Sequence, residues 1–259
     1  MDRKAIDPQS IRNVTMVGDP AETARIGRRL CGGAGETGTF HWVKHGVEYA
    51  IHLTELSPAA PPTQLQRVIR TAEGVIAIID AGARRNTRLD TVLRIADDHQ
   101  VARLCLITGL DHPAADFDHC LRALAGIRGA VPVALQLPIG AGPEFAGVID
   151  LLGMWALEPM GVEFYGDHWA LAQRSYSDLV ATVLESEAGD TRSGSPAADR
   201  RASTRLPARL RRRTHLGDLV PVLCDGSLWS DDITALLDAV VGYLPSPLEV
   251  CQPEHVLDN

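Results

Sequence analysis

The stretch from Gly18 to Arg25 (GDPAETAR) follows a short apolar run and leads into a helical pattern, a setting in which a chain can hold phosphate. Such a loop works because successive backbone N–H groups and a helix N-terminus point at the anion while a lysine balances its charge, in the pattern G-x-x-x-x-G-K-[ST]. Gly18 fits the first position. Thr23 stands where the second glycine belongs, Ala24 where the lysine belongs, and Arg25 where a magnesium-binding hydroxyl belongs. Pro20 removes one N–H donor, and Asp19 and Glu22 bring negative charge toward the place a phosphate would take. Arg25 is the candidate substitute anion contact, although it reads more readily as a surface arginine of the following helix. The chain has two lysines, Lys4 and Lys44. One precedes the first strand and the other lies between the next two, so neither reaches this loop.

A second constellation is cationic. Arg200, Arg201, Arg205, Arg209, Arg211, Arg212 and Arg213 crowd one short stretch, and helical spacing aligns Arg205, Arg209 and Arg212 on one face. The plain reading is a solvated, charge-rich face. The sharper one is a docking patch, with Arg213 alongside, for RNA or an acidic protein. Asp111-His112 and Asp118-His119 share a face too loosely to suggest a metal site. Cys224 follows an apolar run and reads as buried packing. No Ser-His-Asp or Cys-His arrangement with a nucleophile elbow occurs. No catalytic residue and no metal ligand is assigned.

These residues need elements to position them. Residues 14–17 and 47–53 read as strands. Residues 74–80 (GVIAIID), 103–108 (RLCLIT) and 219–224 (LVPVLC) are almost continuously apolar, as central strands covered on both faces require. Residues 65–72, 89–98, 117–127 and 231–243 carry apolar residues at helical spacing. The alternation predicts an α/β fold: a doubly wound, mostly parallel sheet flanked by helices, whose ligands bind beyond the carboxyl ends of the strands. Two stretches break the pattern. Residues 131–154 read as a small inserted meander, and residues 189–206 (GDTRSGSPAADRRASTRL) as a mobile loop.

The bulk numbers set limits. With 259 residues, 45% of them hydrophobic, the chain can bury one sizeable core. A net charge of -8 argues against general nucleic-acid binding, DNA included. Five cysteines without C-x-x-C spacing read as buried thiols of a reducing cytosol. No long apolar run suggests an export signal or a membrane span. A cytoplasmic protein is expected.

Five segments together resemble the GTPase domain of elongation factor G, a domain of the P-loop NTPase fold. They are 11–17 (IRNVTMV), 103–111 (RLCLITGLD), 134–150 (ALQLPIGAGPEFAGVID), 220–224 (VPVLC) and 236–248 (LLDAVVGYLPSPL). The Q-L-P-I-G run and the Y-L-P-S-P-L ending are its most specific parts, and the likeness spans roughly residues 11–250. It implies a GTPase-like core over 11–130 and 215–250, an inserted subdomain over 131–214 carrying the arginine-rich loop, and tails at 1–10 and 251–259.

The same resemblance shows what has changed. Where the family has D-T-P-G-H, for magnesium, γ-phosphate sensing and water positioning, this chain has Thr54-Glu55-Leu56-Ser57-Pro58. Where the family reads guanine with N-K-x-D, it has Thr108-Gly109-Leu110-Asp111. Asp111 survives there, and it also reads as a helix N-cap beside Pro113. A charged acceptor contributes roughly 1.5–3 kcal/mol, whereas a micromolar ligand needs about 8. The last base-contacting loop corresponds to Asp225-Gly226-Ser227, and the switch segment before the second strand is nearly absent.

The expectation is therefore a pseudo-GTPase with no cofactor, whose residual nucleotide positions are Gly18, Arg25, Asp111, Gly226 and Ser227. By resemblance, its partners would be the ribosome, its stalk protein or another translation factor, met through Arg205, Arg209, Arg212 and Arg213. The alternative is a weak GTP- or GDP-binding enzyme that uses magnesium and an altered phosphate grip.

Overall fold

The computed structural model of the chain describes residues 7–30, 38–83, 89–154, 160–184, 196–226 and 233–250. Seven strands form one sheet in the order β2-β3-β1-β4-β5-β9-β6. The strands are β1 (Ile11–Val17), β2 (Thr39–Lys44), β3 (Val47–Leu56), β4 (Gly74–Asp80), β5 (Ala102–Thr108), β6 (Pro132–Ala134) and β9 (Val220–Cys224). All pairings are parallel except β2 with β3. β4 and β5 are buried almost throughout, as their continuous apolar runs predict.

The helices follow the predicted spacing. They are α1 (Pro20–Leu30), α2 (Pro62–Thr71), α3 (Leu89–Asp98), α4 (Phe117–Ala125), α5 (Gly161–Tyr165), α6 (His168–Leu184), α7 (Pro196–His215) and α8 (Thr234–Tyr243). Alternate residues of β1 serve different layers. Val17 packs with Leu65 and Ile69 of α2 and Val92 of α3, whereas Val14 and Met16 join the large cluster that includes Ile26 of α1 and Leu237 of α8.

The stretch read as an inserted meander divides. β6 is the outermost strand of the main sheet, paired with β9, while β7 (Gln136–Ile139) and β8 (Gly147–Asp150) form a separate antiparallel hairpin. Trp169, Tyr176 and Leu179 of α6 and Leu206 and Leu210 of α7 belong to the large core cluster.

The expectation of a mobile loop over residues 189–206 is corrected for its second part. The backbone is helical from Pro196 and continues through Pro207. Leu206 and Leu210 are buried, and the Ala-, Leu- and Arg-rich sequence favours a helix. That combination outweighs the proline.

Two buried arginines fasten the amino-terminal ends of the strands. Arg103 of β5 is fully buried. It donates to the carboxylate of Asp97 at 3.1 Å, the carbonyl of Gly129 at 3.0 Å and the carbonyl of Gly217. Arg12 of β1 donates to the carbonyls of Gln9 at 2.8 Å, Ile11 at 2.6 Å and Val241 at 3.2 Å, and lies 5.4 Å from the centre of the Tyr49 ring. Lys44 donates to the carbonyl of Asp238 in α8 at 3.1 Å, beside the Trp42 indole, which donates to the Asp238 carboxylate at 2.9 Å. That lysine ties the β2–β3 hairpin to α8. Lys4 lies outside the described residues.

Candidate functional site

The loop between β1 and α1 is where the sequence points, and its chemistry is settled by its own side chains. α1 opens Asp19-Pro20, a cap followed by proline at the first helical position. The Asp19 carboxylate accepts from Ala21 N–H at 2.8 Å and Glu22 N–H at 3.4 Å, and its carbonyl accepts from Thr23 N–H at 2.8 Å. The positive end of the helix is thus already supplied with an anion by the chain itself. Gly18 has a packing reason to be glycine. A Cβ there would lie 2.7 Å from Ile78 Cβ and 2.9 Å from the Ile78 carbonyl oxygen on the neighbouring β4.

Arg25 enters an internal network of carboxylates. It donates to Glu22 at 2.8 Å and to Asp225 at 2.6 Å, and Arg29 donates to the other oxygen of Asp225 at 2.8 Å. Burial acts to lower the pKa of the Arg25 guanidinium, but the hydrogen bonds to Glu22 and Asp225 outweigh it and raise that pKa further. Asp225 is anchored in turn by its N–H, which donates to the Ile107 carbonyl at 2.7 Å. The loop after β9 is therefore bolted to α1 across the carboxyl ends of the strands. Arg29 was missed in the sequence. The signal was there, since Arg25 and Arg29 are four residues apart on one helical face.

Gly226 also serves packing. A Cβ there would meet Val148 Cγ2 at 2.9 Å, so the loop rests on the β7–β8 hairpin. Ser227 lies outside the described residues. A cavity of about 170 Å³ opens beside this loop, with Arg29, Gln136, Asp225 and Leu236 among its walls. Cys224 N–H donates to the Gln136 side chain at 3.0 Å, and burial pushes the Cys224 thiol far above its ordinary range. Cys105 and Cys120 are likewise buried, their thiols raised to about 12 and about 11 chiefly by burial. None of the three is poised as a nucleophile.

Asp111 requires a correction. It does not cap α4. Asp116 does, accepting from His119 N–H at 2.7 Å. Asp111 sits one turn earlier and exposed, where His112 N–H donates back to the Gly109 carbonyl at 3.1 Å. Thr108 is fully buried, and its hydroxyl has no hydrogen-bond partner among the described residues. At the end of β3, Thr54 and Glu55 are exposed. Among the described residues no cluster of three His, Cys, Asp or Glu side chains is placed to hold a metal ion. No helix among them is long and apolar enough to cross a membrane.

The arginines of α7 separate by role. Arg211 donates to the carbonyl of Gly242 at 2.9 Å and to both oxygens of Glu249 at 2.8 and 2.9 Å. Arg213 donates to the carbonyls of Thr182 at 2.5 Å and Val183 at 3.4 Å, capping the C-terminus of α6. Arg205 and Arg212 are exposed, with the partly exposed Arg209 between them.

Comparison with known proteins agrees with this architecture. The chain is 34% identical to elongation factor G of Anaplasma phagocytophilum (strain HZ) over 203 residues, covering 74% of this chain and 29% of that protein. It thus spans less than a third of the length of that relative. A crystal structure from Thermus thermophilus superposes with a TM-score of 0.69 at 16% identity, covering 93% of this chain and 41% of that one. No protein-family model matches the chain. In sequence the chain is similar to part of elongation factor G, and its mostly parallel sheet flanked by helices has a P-loop NTPase-like architecture.

Proposed function

We propose that this domain is a pseudo-GTPase: a binding module that keeps the nucleotide-domain fold and no longer hydrolyses GTP. The observation that carries the proposal is the self-occupied N-terminus of α1. Asp19 supplies the anion there, and Arg25 and Arg29 are both held by Asp225. A triphosphate entering this loop would have to displace carboxylates already paired at 2.6–2.8 Å, against the like charge of Asp19 and Glu22. The residues present do not fit a magnesium–nucleotide complex, so no hydrolytic step is derived through one.

The module's place of action, by similarity to elongation factor G, is the translation machinery in the cytoplasm. Its partner would be the ribosome, the stalk protein or a further translation factor. The competing reading, a weak GTP- or GDP-binding enzyme using Arg25 and Asp111, has the exposed Asp111 carboxylate in its favour. Isothermal titration with GTP and with GDP in the presence of magnesium separates the two. The pseudo-GTPase gives flat titrations, whereas a dissociation constant below about 10 μM, roughly 7 kcal/mol of binding, overturns it.

A further inference from the structure

The exposed arginines of α7 are the strongest unassigned feature of the surface. At 100° per residue, Arg205, Arg209 and Arg212 fall within an arc of about 60°, and the 1.5 Å rise spaces them by about 6 and 4.5 Å. Leu206, Leu210 and Thr214 are buried on the opposite side of the helix, so the row faces outward. Its neighbours are neutralised locally: Arg211 by Glu249, and Arg213 by Asp218 at 4.0 Å. Arg205 and Arg212 make no ion pair or hydrogen bond among the described residues. Two guanidiniums thus project without a counter-ion among the described residues of a protein whose net charge is -8, and Arg209 lies between them.

We infer that this row is a docking face for the phosphodiester backbone of RNA. Every cation of residues 200–213 is arginine and none is lysine, and the planar fork of arginine suits phosphate oxygens. No Phe, Tyr or Trp occurs in α7, so the helix itself offers neither a base-stacking platform nor the Trp and Tyr anchors common at protein–protein hot spots. Recognition is of charge and backbone, not of sequence. The overall negative charge repels RNA elsewhere and orients it on this helix. This inference names a partner chemistry for the binding module and rests on that reading only for where such RNA is met.

Fluorescence anisotropy with labelled RNA duplexes tests it. Binding is expected at about 10⁻⁴–10⁻⁶ M, with a log–log salt slope of about -2 to -3 and no preference between unrelated sequences. The double substitution Arg205→Glu/Arg212→Glu, at exposed positions, is expected to weaken binding at least tenfold with an unchanged melting temperature. Arg67→Glu/Arg70→Glu on α2 makes the same change in net charge away from the row and is expected to leave binding within twofold. Equal binding of a DNA duplex assigns recognition to the phosphodiester backbone alone, and preference for RNA assigns it to the A-form helix; both keep the inference. It is overturned if RNA does not bind at low salt, if the two double variants weaken binding alike, or if polyglutamate binds more tightly than RNA. Nucleotide titrations are independent of all these outcomes, so a flat titration with no RNA binding removes this inference alone.

Discussion

The two rims of the sheet both depend on arginine, and they use it in opposite ways. At the amino-terminal rim, Arg103 and Arg12 are 0% and 2% exposed, and most of their partners are backbone carbonyls. Those carbonyls belong to the fold and cannot be exchanged for a ligand. At the carboxyl-terminal rim, the side chains of Arg25 and Arg29 are 35% and 10% exposed, and their partners are carboxylates. A carboxylate is an anion in the place where nucleotide folds of this topology receive an anion from outside. The amino rim is therefore plain structure. At the carboxyl rim the arginines pair with carboxylates of the chain itself, the observation on which the proposed pseudo-GTPase reading rests.

The sharpest way to break that contrast is to remove one arginine from each rim. Arg103→Ala would leave the carbonyls of Gly129 and Gly217 and the carboxylate of Asp97 without their shared cation. The expected loss is about 3–5 kcal/mol in urea unfolding. Arg25→Ala removes a partly solvated ion pair and should cost no more than about 1 kcal/mol. Equal losses would mean that both rims are structural in the same sense, and the contrast fails.

Asp225→Asn probes the carboxyl rim at its shared acceptor, with a smaller expected effect. Asp225 serves two arginines at once and is only 10% exposed. Its neutralisation leaves Arg29 largely buried with a weakened partner, for an expected loss of about 1.5–3 kcal/mol. The same variant removes the carboxylate charge that Arg25 and Arg29 share while Arg25 keeps Glu22, so uptake of inorganic phosphate can be read by calorimetry beside its stability. Uptake by Asp225→Asn and not by the wild type would sharpen the picture of an internally satisfied site. A loss no larger than that of Arg25→Ala would show that Asp225 holds nothing essential.

What the sequence revealed follows from the same contrast. The central strands were legible because β4 and β5 are covered on both faces, which forces continuous apolar runs such as GVIAIID. That Ala24 stands where the phosphate-loop pattern asks for lysine was legible from its spacing after Gly18. The ionic network was not legible, since Arg25 and Asp225 are 200 residues apart and only the parallel sheet brings their loops together. Asp111 and Asp116 illustrate a subtler limit: two aspartates both precede α4, and the cap belongs to the one whose carboxylate reaches the N–H of His119. Over residues 189–206, glycine, serine and proline argued for a loop, but the chain is helical from Pro196 and the buried Leu206 and Leu210 hold that helix to the core.

The smallest expected effect tests whether a carboxylate at the amino rim behaves like those at the carboxyl rim. Glu249 holds the segment after α8 through Arg211 and through the N–H and hydroxyl of Ser246 at 2.9 and 3.0 Å. Burial acts to raise its pKa, but the hydrogen bonds from Arg211 and Ser246 outweigh this and lower it to about 2. A depressed carboxylate stabilises the folded state above its ordinary range near 4.5 and loses that contribution as pH falls toward about 2. The side chain is 38% exposed, so solvent screening holds the contribution to less than about 1 kcal/mol. Wild type should therefore exceed Glu249→Gln slightly at neutral pH, and chemical denaturation at successive pH values should show the gap closing between about 4.5 and about 2. A gap that persists at the acid end would assign the contact to neutral hydrogen bonding. Glu249 would then serve the amino rim as a neutral hydrogen-bonding partner, unlike the charged carboxylates of the carboxyl rim.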